Sequence, residues 1–81
     1  MDQTEIDDIA GFLVKTNEVL QRSELVREDK ESLLRELKKI IDRIGEAIIE
    51  SNDYDFNELL STLEIEAREC YSSLKTISAN T

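Results

Sequence analysis

Asp53, Asp55, Asn57, Ser61 and Glu64 occupy the first, third, fifth, ninth and twelfth positions of one short stretch, with the apolar Leu60 at the eighth. Oxygen-bearing side chains at that spacing are what a calcium-binding loop uses to surround its ion. The sixth position of such a loop is a glycine that permits a sharp turn, and here it is Glu58, whose side chain disfavours that backbone. The same segment also reads as the start of a helix with Asp53 and Asp55 as its first acids, so calcium binding stands as the rival to simple helix capping.

Other chemistry is thinly provisioned. The chain has no His, no Trp and one Cys, Cys70. It therefore lacks the commonest general base and cannot form an intramolecular disulfide or a His/Cys zinc site. An enzyme would have to use carboxylates, lysines, serines, Tyr54, Tyr71 or Cys70. There is no glycine-rich phosphate loop, nucleophile elbow, or helical acid pair accompanied by His. The expectation is a protein without catalytic residues or a cofactor. Cys70 reads as a small buried hydrophobe, because a reactive thiolate needs exposure and cationic neighbours.

The elements that position these residues follow from spacing. With 81 residues, two Gly and no Pro, the chain is one domain, 1–81, containing few helix breakers. Ile6, Ile9, Ala10, Leu13 and Leu20 form one face of a helix over about 4–20, capped by Thr4 or Asp2. Asn17 falls inside that face as a polar register device. Leu34, Leu37, Ile41, Ile44 and Ile48, widened by Leu33 and Ile40, predict a second helix over 27–50. Gln21 to Val26 is the connection.

The polar run 51–55 predicts a turn, since short polar side chains bond to nearby backbone and compete with helix. Phe56, Leu60, Leu63, Ala67, Cys70, Leu74 and Ile77 then predict a third helix over 55–78, with Asp55 and Glu58 as a capping box and a fraying tail from Ser78. Short connections make neighbours antiparallel. The fold class is all-α, an antiparallel up-down-up three-helix bundle.

Phe12 and Val19, Ile49, and Ile65 lie off the main stripes of their helices. Isolated surface hydrophobes are ordinary, but these four also nominate an oligomer or partner surface. Gly11 and Gly45 sit inside predicted helices at a cost of about 1 kcal/mol each relative to Ala. For Gly45, close approach of another helix is the expected compensation.

The charge is regional. The chain has 19 acids against 10 bases. Residues 1–14 hold four acids and no base, and residues 44–67 hold seven acids and no base. In an up-down-up bundle the start of the first helix, the end of the second and the start of the third share one end. That pole collects Asp2, Glu5, Asp7, Asp8, Glu46, Glu50, Asp53, Asp55 and Glu58, opposed only by the terminal amine. Acids at a helix start favour the helix dipole, but Glu46 and Glu50 are four apart at a helix end, where both the dipole and their mutual repulsion oppose them. Two local rules broken together point to a use outside folding. A second acidic line, Glu58, Glu66 and Glu69, is expected on the outward side of the third helix.

Such a charge excludes binding to nucleic-acid phosphates and to an anionic membrane surface. The acidic start 1–5 does not resemble a secretory signal, so a cytoplasmic address is expected. The leading expectation is a non-enzymatic binding protein. Its acidic pole, carried by Asp7, Asp8, Glu46, Glu50, Asp53, Asp55 and Glu58, would engage a basic protein partner as an inhibitor, an immunity- or antitoxin-type neutraliser, or a regulatory adaptor. The alternative is a structural or assembly subunit acting through Phe12, Val19, Ile49 and Ile65 in a homodimer or hetero-complex.

Overall fold

A computed structural model describes residues 1–22 and 25–77, which form α1 (Gln3–Arg22), α2 (Arg27–Glu50) and α3 (Tyr54–Thr76). Each helix begins where local chemistry allows it. Asp2 rather than Thr4 caps α1, its Oδ1 accepting from the backbone N–H of Glu5 at 2.9 Å. Asp53 caps α3, its Oδ1 accepting from the Phe56 N–H at 3.2 Å. The proposed Asp55–Glu58 capping box is thus displaced: the helix starts at Tyr54, and both acids already lie within it. Val26 precedes α2 with no side-chain cap. Ser23 and Glu24 in the first connection, and the tail from Ser78, lie outside the described residues.

Three cross-helix contacts fix the topology. Arg43 Nη2 donates to Glu5 Oε2 at 2.7 Å, setting the end of α2 beside the start of α1. Lys30 Nζ donates to the Ile77 carbonyl, setting the start of α2 beside the end of α3. Cys70 Sγ donates to Asn17 Oδ1 at 3.3 Å, so the late halves of α1 and α3 are level. The result is the up-down-up three-helix bundle, 45 × 17 × 16 Å, with α3 packed most extensively on α2 and less so on α1.

The core runs the length of the bundle through Ile6, Ile9 and Leu13 of α1, Leu37, Ile40 and Ile44 of α2, and Leu60, Leu63, Ala67, Cys70 and Leu74 of α3. Leu25 closes it from the first connection. In α2 the buried line includes Ile40, whereas Leu34, Ile41 and Ile48 are half-buried beside it. One helix facing two others centres its apolar stripe between them. Truncating a fully buried side chain such as Leu37 or Leu60 to Ala would cost about 2–5 kcal/mol, a large fraction of what holds so small a domain together.

The polar residue buried in α1 is Thr16 and not the expected Asn17. Thr16 is buried, its hydroxyl donating to the Phe12 carbonyl at 2.8 Å and so needing no partner from another helix. Asn17 is exposed and reaches Cys70 from the edge. The close-approach account of Gly45 is overturned: a methyl group at either Gly45 or Gly11 would meet nothing within 4 Å.

Candidate functional site

The ends of α1, α2 and α3 that carry the predicted pole do meet at one end of the bundle. Met1, Glu5, Arg43, Glu46, Ala47 and Glu50 line a shallow pocket of about 150 Å³ there. The helix dipole explains part of this concentration. Asp2 and Asp53 hold the positive ends of α1 and α3 by direct hydrogen bonds, and Asp55 lies in the first turn of α3. Asp7 and Asp8 follow on the exposed part of α1, with Asp7 accepting from Gln3 Nε2 at 2.9 Å.

Glu46 and Glu50 receive no such compensation. Both are exposed, the last turn of α2 contains no base, and among the described residues neither lies within 4.0 Å of a cation. The expectation that the terminal amine alone opposes the pole is corrected by Arg43, which neutralises Glu5. Arg43 lies three residues before Glu46 and seven before Glu50, about 4.5 Å and about 10 Å along the axis. The signal was therefore available in the sequence, but only to a reading that set the helices in register.

The calcium-loop spacing is carried by a helix. From Tyr54 onward the chain is α-helical, so Asp55, Asn57, Ser61 and Glu64 are spread over about 14 Å of rise instead of being wrapped around a point. Asp53 Oδ1 is taken up in capping α3 and Glu64 Oε1 accepts from Arg68 Nε at 3.1 Å, whereas Asn57 Nδ2 donates to the Ser51 carbonyl at 3.3 Å and its buried Oδ1 has no hydrogen-bond partner among the described residues. Among the described residues no group of three or more acids or cysteines is placed to hold a metal.

The off-stripe hydrophobes divide. Phe12 and Val19 are half-buried and packed against the core, and Val19 shares the groove toward α2 with Leu25 and Leu33. The bundle thus takes up part of the surface of both. Ile49 and Ile65 are exposed, at 84% and 58%. Tyr54, within the segment expected as a turn, is 80% exposed at the first position of α3.

Glu66 and Glu69 are exposed on α3, on its side toward α1. They border the groove toward α1 together with Val14, Asn17, Cys70 and Ser73. Burial pushes the Cys70 thiol above its ordinary pKa, and the neighbouring charges of Glu66 and Glu69 push it further. The thiol is buried, protonated and spent on Asn17, the opposite of a nucleophile's setting.

The fold defines a three-helix bundle with an acidic end, and none of its described helices is long and apolar enough to cross a membrane. No family model, curated protein or solved structure matches the chain.

Proposed function

We propose that the protein is a non-enzymatic, cytoplasmic binding protein whose acidic pole captures a basic protein partner. It would act as an inhibitor, as a neutraliser of the immunity or antitoxin type, or as a regulatory adaptor. The observation that carries this reading is the pair Glu46 and Glu50, two exposed carboxylates at the unfavourable end of α2 that among the described residues have no cation within 4.0 Å, beside the start of α1. Charges kept against local stability are accounted for by a partner that supplies the missing cations. A field of one sign at one end steers such a partner and accelerates its association.

Affinity capture from the native host lysate, washed at about 0.1 M and about 1 M salt, tests this. The wild-type protein should retain a basic protein in the low-salt wash and lose it in the high-salt wash, and the Glu46→Gln/Glu50→Gln protein should retain less. Equal retention by both baits at both salts contradicts the proposal.

The exposure of Ile49 and Ile65 supports a second reading, a structural or assembly subunit joined through apolar faces. Binding of that kind tolerates salt and is abolished by Ile49→Ser or Ile65→Ser.

A further inference from the structure

Ile49 and Tyr54 are the two most exposed large apolar side chains of the bundle, and they flank the same connection, residues 51–53. That connection is braced. The Ser51 N–H donates to the Ala47 carbonyl at 3.0 Å, Ser51 Oγ accepts from the Asp53 N–H at 3.2 Å, and the Ser51 carbonyl accepts from Asn57. The two side chains are therefore presented from fixed helix ends.

They also share a side. Asp42 and Arg68 line one groove between α2 and α3. Ile49 lies seven residues after Asp42 and Tyr54 fourteen before Arg68, so helical periodicity carries both toward the same side of the bundle, about 10 Å apart along its axis. Ile65, eleven residues from Tyr54, extends the apolar line up the outer face of α3. Around them stand Glu46, Glu50, Asp53, Asp55 and Glu58, within the stretch 44–67 that contains no base.

We infer that Ile49 and Tyr54 are the apolar anchors of the partner surface, and that the partner is a basic protein presenting an apolar recess ringed by Lys and Arg. The inference rests on the proposed function and specifies its contact. An exposed apolar pair with an acidic surround is the complement of such a recess, and tyrosine is among the residues that most often dominate binding energy at the centre of an interface. The acids govern encounter, and the two anchors govern residence. A second copy of this chain would bring the same acids against themselves, which charge complementarity disfavours.

Two synthetic peptides of equal charge separate these roles: oligolysine, and a peptide in which leucines interrupt the lysines. Titration at about 0.1 M salt, followed by calorimetry and backbone amide shifts, should place both peptides on Glu46 and Glu50. Only the leucine-containing peptide should also shift Ile49 and Tyr54, and it should bind about tenfold more tightly. Ile49→Ser and Tyr54→Ser should remove that advantage while leaving oligolysine binding unchanged. Equal affinity for both peptides, undiminished by the serine variants, overturns the anchor inference while leaving the acidic pole standing. No shift at Glu46 or Glu50 with either peptide overturns the pole itself, and a dimer that Ile49→Ser dissociates assigns the anchors to self-association and overturns the inference.

Discussion

Arg43 Nη2 lies 2.7 Å from Glu5 Oε2, joining helices that otherwise touch little, and it sets a side-chain cation into the acidic end. Both side chains are substantially exposed, so the pair adds at most about 1 kcal/mol of stability. Its larger effect is on the field, because it cancels a charge that the partner would otherwise meet. Arg43→Gln should leave the melting temperature within a few degrees of wild type and raise the association rate with a basic probe such as oligolysine several-fold at low salt. Stopped-flow mixing reads the rate. A slower association would show that Arg43 belongs to the contact rather than to its edge.

Glu46 and Glu50 should reveal a trade between stability and binding. Replacing both with Gln removes a repulsion between residues four apart and two unfavourable interactions with the negative end of α2, a gain of about 0.5–1.5 kcal/mol in total. For a domain of this size that raises the melting temperature by a few degrees. Calorimetry of the double variant should show this rise, and added salt should narrow the difference from wild type. A double variant that melts lower than wild type would show that these carboxylates serve the fold.

Gly11 and Gly45 should both accept a methyl group. Each lies in regular helix with open space where the Cβ would stand, so Gly11→Ala and Gly45→Ala should each stabilise the protein by about 0.5–1 kcal/mol. Chemical denaturation measures it. Destabilisation at Gly45 would restore the close approach by another helix that the described bundle does not contain.

Cys70 sets a stability limit on the alkaline side. Its thiol has an ordinary pKa of 9.0 in the unfolded chain and a higher one in the fold, raised first by burial and then by Glu66 and Glu69. The unfolded state therefore loses this proton first, so the thiol's contribution is complete below pH 9.0 and declines as pH rises above it. Cys70→Ala should be less stable than wild type at pH 7, with a deficit that shrinks toward pH 10. Denaturant midpoints of the two proteins across this range supply the comparison, and a constant deficit would contradict the burial described.

The sequence made the helices legible because apolar periodicity spoke alone, with no Pro and little Gly to interrupt it. The helix boundaries lay within a few residues of those observed. Periodicity on single helices was silent on how each is rotated against its neighbours. Phe12 and Val19 look outward beside the stripe of α1 alone, but they are half-buried and packed against the core. Glu66 and Glu69 look outward on α3 alone, but they border α1. The same blindness hid Arg43, whose role depends on the level of α2 relative to α1. The calcium spacing misled because ligand spacing along a chain resembles a site only when the backbone bends, and here Asp53 caps a straight helix.

The most direct test of the acidic pole is the association rate constant between this protein and its captured basic partner, measured at about 0.1 M and about 1 M salt for wild type and for Glu46→Gln/Glu50→Gln. The account predicts a wild-type rate that falls at least about tenfold across that range and a variant that starts slower and falls less. Identical rate constants for the two proteins, unchanged by salt, would contradict it.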